Sequence, residues 1–94
     1  METTYRVTYH KTVVAYDIPM LSRVAALRVM DAIQEKLRTQ PDLFGKPLRR
    51  SLAGYRSLRV GDYRIVFQIE KRIVKIFVIA HREHVYEMVL SRIK

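Results

Sequence analysis

The sequence predicts an α+β fold. We expect a two-layer domain with an N-terminal strand, a hairpin of two helices on one face of a mostly antiparallel four-stranded sheet, and a short C-terminal helix. Two patterns support this class: apolar residues recur at helical spacing in the first half of the chain, whereas strand-like alternation divided by tight turns fills the second. We expect the 94 residues to make one domain, 1–94, because the chain is too short to divide into two.

The first predicted elements are a strand over residues 5–9 and a helix over 12–21. Pro19 either kinks this helix or marks a late start, because proline lacks the amide hydrogen that a helix interior needs. The strand residues expected to share the core face are Tyr5, Val7 and Tyr9.

A second helix is predicted to begin after its cap, Ser22, and to end near Thr39. Its expected buried positions are Ala26, Met30, Ile33 and Leu37. Residues 42–46 then predict a loop. The loop residues with an expected role are Leu43 and Phe44, which reach back to the core, and Gly45, which makes the turn.

The second half predicts an antiparallel meander with strands at 52–60, 63–70 and 73–80. Gly61 and Asp62 join the first two strands, and a leading glycine favours a type II′ turn. The third strand is apolar on both faces, as is typical of a central strand. The residues expected on the core face of the second strand are Tyr63, Ile65, Phe67 and Ile69, and the closing helix is expected over 85–93.

Positive charge is concentrated in one stretch. The net charge is +9, and residues 46–64 carry +5 of it, since six basic residues there face a single acidic one. Twelve of the eighteen basic residues are arginines, whose guanidinium groups bind phosphate oxygens in pairs. Surface solubility is the simpler explanation. Arginines on strands are held rigidly, however, which favours recognition of an anion. The candidate RNA-binding residues are Lys46, Arg49, Arg50, Arg56 and Arg59.

Several classes of function are disfavoured. The chain has no cysteine, which argues against disulfides and thiolate zinc sites and fits a reducing cytoplasm. No secretion signal, membrane span or glycine-rich phosphate loop is apparent, so we expect no membrane association and no cofactor. The three histidines are a weak metal set in a chain without cysteine, and no metal site is predicted. His81 beside Arg82 instead suggests a general base or a neighbour to phosphate.

Two strings carry a family likeness: LAGYRSLRVGDYRIVF at 52–67 and IAHREHVY at 79–86. They resemble the RelE branch of the RelE/ParE toxin superfamily, and the stretches at 16–21 and 37–48 extend the resemblance over essentially the whole chain. The resemblance implies a toxin of a type II toxin–antitoxin system with the fold described above. Its expected partners are an acidic antitoxin, the ribosome and messenger RNA.

The resemblance also implies a reaction. RelE-like toxins cut messenger RNA on the ribosome, where the ribose 2′-OH attacks the adjacent phosphate and leaves a 2′,3′-cyclic phosphate and a 5′-OH. By position, Arg64 and Arg82 match the residues that hold the scissile phosphate, and Tyr86 matches the tyrosine that orients the nucleotide. Arg59 aligns with a further basic strand residue.

The base is left open, because some family members have two lysines in the strand before the hairpin and this chain has Tyr55 and Ser57 there. Three residues are candidates for it: His81, Lys46 and Arg56. Two further functions stay open for the chain as a whole. The ParE branch shares the fold and inhibits DNA gyrase without catalysis, and a basic RNA-binding module without activity would carry the same charge.

Overall fold

A computed structural model describes residues 4–93. In chain order the elements are β1 (Arg6–Tyr9); α1, in which a π-helical segment (Val13–Asp17) continues as a short α-helical turn (Ile18–Met20); α2, in which an α-helix (Arg23–Ala32) continues as a π-helical segment (Ile33–Leu37); α3 (Pro41–Phe44); β2 (Lys46–Pro47); a 3₁₀ turn (Arg50–Leu52); β3 (Arg56–Val60); β4 (Tyr63–Glu70); β5 (Ile73–His81); and α4 (Val85–Ile93). No helix in the described range has both the length and the apolar character needed to cross a membrane.

The strands form one mixed sheet in the order β1-β5-β4-β3-β2. β1 runs parallel to β5, and the remaining pairs are antiparallel. The predicted fold class is therefore confirmed, with β5 inside the sheet as expected, but the sheet has five strands instead of four. The additional strand, β2, is two residues long and contains Pro47. Two residues are too few to show the alternation that predicts a strand, and proline is rare in strands.

One face of the sheet is closed by α1 and α2, as predicted. Ile65 and Phe67 of β4 are fully buried there, and Tyr63 and Ile69 pack partly buried beside them. The hairpin before β4 turns at Gly61, which has a φ of +58° and so needs the conformational freedom of glycine. The other fully buried residues of this core are Val13, Ile33, Leu37 and Val74.

The opposite face carries α4, the C-terminal helix. Val85 and Val89 of α4 pack on Val66, Val78 and Ala80. These strand residues alternate with those of the first core, because successive side chains of a strand point to opposite faces. The register shifts between Val66 and Phe67, which pair with Val78 and Ile76. The extra residue, Phe77, joins this second core.

The predicted buried face of α2 is correct at its end and one residue out at its beginning. Ile33 and Leu37 are buried as expected, but Ala25 and Val29 are buried in place of Ala26 and Met30. The π-helical segment explains the offset, since its wider turn accommodates one more residue than an α-helical turn does. The Ser22 cap is confirmed: its Oγ accepts a hydrogen bond from the Ala25 amide at 3.1 Å.

The segment expected to be a loop is the short helix α3, and its two apolar residues do not reach the core. Leu43 is 67% exposed and Phe44 is 40% exposed. Gly45 has an ordinary φ of −84°, so it does not serve as a left-handed turn residue. It is needed because a Cβ there would lie 2.2 Å from Cζ of Phe67, which is too close for any other residue without a shift.

A buried ion pair joins α4 to α1 at the edge of β5. Both oxygens of Asp17 accept hydrogen bonds from Arg92, at 2.8 and 3.0 Å, and Arg92 also donates to the Phe77 carbonyl at 3.0 Å. The Asp17 carboxylate accepts the Ile79 amide as well, at 2.9 Å. β1 has ended by this point, so the pair satisfies backbone groups of β5 that no strand covers.

Candidate functional site

An open groove of about 540 Å³ lies where the second face of the sheet meets the edge strand β3. The groove exists because β2 pairs only with Arg56 and Ser57, which leaves residues 58–60 without a strand neighbour on the outer side. α4 covers only part of this face. The lining residues are Lys36, Phe44, Lys46, Leu48, Ser57, Leu58, Arg59, Arg64 and Tyr86.

Two arginines form the wall of the groove. Arg59 of β3 and Arg64 of β4 are direct partners across the hairpin, so their side chains leave the same face about 5 Å apart. Like charges in this position oppose folding. No carboxylate among residues 4–93 lies within ion-pair distance of either. Arg64 Nη1 donates to the carbonyls of Gly61 and Tyr63, at 3.2 and 3.0 Å, which fixes its direction and leaves its other donors available.

Two more predicted site residues meet these arginines. Tyr86 comes from the first turn of α4 and is 41% exposed, and Lys46 comes from β2. The structure therefore brings together four of the predicted residues, from four elements. Their combination of cations with an aromatic ring suits a nucleotide phosphate and its neighbouring base.

Arg82 lies at the same end of the sheet but is not part of the groove lining. Its amide donates to the carbonyl of Asp62 in the hairpin turn at 2.8 Å, and its side chain is exposed. Arg49 and Arg50 are also exposed, next to β2 and outside the groove. These three cations are exposed and do not line the groove.

Arg56 has a structural position. Its Nη1 donates to the carbonyls of Gly45 and Asp42, at 2.9 and 3.3 Å, and so holds the connection between α3 and β2. Arg56 alternates with Ser57 and therefore leaves the face of the sheet that α1 and α2 cover. The structure does not bring it to the groove.

His81 is also outside the groove, although its neighbour Arg82 is near. It is the register partner of Tyr63, so it leaves the face opposite to Arg64. Its Nδ1 accepts the Glu83 amide at 3.1 Å. In the neutral ring the proton is then on Nε2, which is a donor. The lone pair that a general base requires is thus occupied.

Lys36 and Phe44 also line the groove, and no local sequence pattern predicts this. Lys36 lies in the last turn of α2, and its Nζ is 5.5 Å from the centroid of the Phe44 ring. Phe44 had been expected in the core, and here its exposed ring supports a cation at the groove. Both enter the site because the end of α2 and α3 reach the free edge of β3, a long-range contact that no local motif encodes.

Comparisons with known proteins identify the family of this chain. The family model described as "ParE toxin of type II toxin-antitoxin system, parDE" matches residues 17–86. The chain belongs to the RelE/ParE toxin superfamily. Among curated members, Toxin RelE of Mycobacterium tuberculosis is 35% identical to this RelE/ParE chain over 85 residues, which cover 85% of this chain and 88% of that one. Toxin RelG of the same organism is 40% identical over 65 residues, covering 63% and 75%.

Solved structures of the superfamily match the fold. The toxin–antitoxin complex RelBE2 of Mycobacterium tuberculosis contains a chain with a TM-score of 0.79 and 32% identity, covering 87% of this chain and 95% of that one. The RelB–RelE complex of Methanococcus jannaschii gives 0.67 at 20% identity, covering 86% and 96%, and supports the fold alone. The resemblance inferred from residues 52–67 and 79–86 is therefore confirmed.

Proposed function

We propose that this RelE/ParE toxin is a ribosome-dependent endoribonuclease that cleaves messenger RNA in the groove between β3 and α4 and thereby inhibits translation. The observation that carries the proposal is the row of Arg59 and Arg64, unpaired with carboxylates and joined in one groove by Lys46 and Tyr86. Cations that oppose one another in the free protein become favourable when a phosphate lies between them.

In the proposed reaction the RNA supplies its own nucleophile. The 2′-OH loses its proton, its oxygen attacks the adjacent phosphorus, and the bond from phosphorus to the 5′-oxygen breaks. Arg59 and Arg64 stabilise the charge that develops on the phosphoryl oxygens, with Arg82 contributing from the end of the sheet. Tyr86 orients the nucleotide. The departing 5′-oxygen takes a proton from solvent, to which the groove is open.

Lys46 is the candidate that we propose for removal of the 2′ proton, which its side chain accepts as the neutral amine. Of the three residues considered for this role, it lines the groove, whereas Arg56 is bonded to the Gly45 carbonyl and Nδ1 of His81 is occupied. Lys46→Arg separates charge from proton transfer, because arginine keeps the charge and does not give up its proton. We expect Lys46→Arg to lose activity as strongly as Lys46→Met. Wild-type rates for Lys46→Arg would limit Lys46 to a charge role.

The reaction is tested with purified ribosomes holding a defined message, and the cut ends are analysed. We expect a 2′,3′-cyclic phosphate and a 5′-OH, and we expect a single 2′-deoxy substitution at the cut nucleotide to stop cleavage there. The same message without the 2′-deoxy substitution is the matched control. Cleavage that continues at the 2′-deoxy nucleotide would contradict the proposal.

We further propose that an acidic antitoxin binds this toxin in the cytoplasm. The net charge of +9 favours an acidic partner, and the RelBE2 and RelB–RelE structures are toxin–antitoxin complexes. Exposed apolar residues on α1 and α2, including Val24 and Leu27, favour a contact that buries apolar surface as well as charge. A complex that dissociates completely in moderate salt would contradict this combination.

Inhibition of DNA gyrase is the second candidate, because the matching family model is that of ParE. It predicts stabilised gyrase–DNA cleavage complexes and unaffected translation. Cleavage of ribosome-bound message with no effect on purified gyrase would exclude it, and the reverse result would exclude the endoribonuclease.

A further inference from the structure

A second cavity, of about 300 Å³, lies at the end of β4 and β5 on the far side of Arg64 from the groove. We propose that it is a nucleobase subsite, which takes one unpaired base next to the phosphate that the groove binds. This inference rests on the proposed function, since it assigns a position to a nucleotide of the same RNA. None of the groove residues lines this cavity.

Its walls are aromatic. The rings of Tyr63 and His81 meet edge to face with centroids 5.7 Å apart, and the rings of His81 and His84 follow at 6.2 Å. Tyr16 and Met20 form the opposite rim and are 53% and 67% exposed. Aromatic rings with accessible faces are the surfaces on which unstacked bases bind.

The polar groups of the cavity suit a neutral heterocycle. Asp17 at its floor is already neutralised by Arg92, so the floor attracts neither a cation nor an anion. His81 accepts the Glu83 amide through Nδ1, which leaves Nε2–H as a donor in the neutral ring. Ring nitrogens and carbonyl oxygens of bases are acceptors for such a donor. A planar ring with acceptor atoms therefore matches both the walls and the donor.

The cavity is within reach of the phosphate site. Arg64 lines the groove, and its partner across the strands, Ala80, lines the cavity. Partners in antiparallel strands have Cα atoms about 5 Å apart. Arg82, next to His81 in the chain, is exposed at the end of the sheet, where its amide donates to the Asp62 carbonyl of the hairpin turn. Tyr63 and His81 lie on the face opposite to Arg64, so a strand of RNA that passes Arg64 and turns around the end of the sheet at Arg82 can place its next base against them.

The test is a titration of the full chain with AMP and with ribose 5-phosphate, which lacks the base, followed by NMR. We expect AMP to shift the ring signals of Tyr63, His81 and His84, and ribose 5-phosphate to leave them unchanged. Equal shifts with both ligands, or AMP shifts confined to the groove, would overturn the proposal. Absence of any AMP effect in the cavity would overturn it too and would favour a polypeptide as the occupant.

Two histidine variants give a matched comparison. His10 and His81 each accept the amide of the residue two positions later through Nδ1, at 3.1 Å, and Asn can replace both as an acceptor. We expect His81→Asn to weaken AMP binding about tenfold and His10→Asn to leave it unchanged. Equal effects of the two variants would overturn the proposal. The titration needs no ribosome, so failure of base binding is distinguishable from failure of messenger RNA cleavage.

Discussion

The two faces of the sheet differ in how completely helices cover them. A helix is about 10 Å wide, and five strands span about 19 Å, so two helices cover the sheet and one does not. On the face under α1 and α2, large residues such as Phe67 and Ile65 are fully buried. On the other face α4 buries smaller residues, such as Val66 and Ala80. The uncovered remainder of that face is the groove.

This difference separates stability from function within one small domain. Arg59 and Arg64 are rooted in strands whose opposite face is closed, so the core behind them holds their backbone in place. α4 covers only part of their own face, so their side chains line an open groove. A partly covered sheet thus gives a rigid cationic site without a dedicated loop.

Arg92→Met should have the largest effect on stability, because it breaks the buried ion pair that joins α4 to Asp17 of α1. The Asp17 carboxylate is fully buried, and without Arg92 it remains as an unpaired charge. We expect a loss of about 3–5 kcal/mol in the free energy of unfolding, measured by urea denaturation. Adding Asp17→Asn should recover much of the loss. A loss below about 1 kcal/mol in the single variant would show that α4 does not depend on this pair.

Gly45→Ala tests the tight packing of the covered face and should have a smaller effect. The new Cβ would meet the Phe67 ring and the Pro41 carbonyl oxygen, and relief of this contact should cost about 1–3 kcal/mol. In a double-mutant cycle, Phe67→Leu should remove part of that cost. Strict additivity of the two changes would mean that Gly45 and Phe67 are not coupled.

Ser22→Ala should have the smallest effect, about 1 kcal/mol, because it removes the cap of the helix that closes the covered face. Ser91→Ala, an exposed position in α4 on the other face, is the control and should change stability by less than about 0.5 kcal/mol. Thermal unfolding of both variants provides the comparison. Equal shifts in the melting temperature of the two variants would contradict the stabilising role of the Ser22 cap.

The elements that the sequence predicted best are those fixed by local signals. β4 and α4 have the expected bounds, because a glycine turn precedes the first and a break in strand pattern precedes the second. Long-range contacts account for the errors. β2 forms only because β3 offers a partner, and the π-helical segment shifts the buried face of α2 only in the packed helix.

In the candidate site, too, local signals predict some features and long-range contacts determine the others. The pairing of Arg59 with Arg64 was predictable, since a two-residue turn fixes the register of the strands it joins. The alternation of side chains along a strand also predicts that Arg56 and His81 point to the other face. Their charge and their closeness in sequence to other site residues made them candidates, but neither property determines the face. Lys36 was not predictable, because it reaches the groove only through the packing of α2.

We expect the groove arginines to act by position and not only by charge. Arg59→Gln with Arg64→Gln removes two charges from the groove, and Arg6→Gln with Arg72→Gln removes two at the far edge of the sheet, where the Arg72 guanidinium lies 4.8 Å from the Tyr5 ring centroid. Cleavage of ribosome-bound message is compared at one salt concentration. We predict at least a hundredfold loss for the groove pair and a change within a few-fold for the other pair. Equal losses for the two pairs would contradict the account.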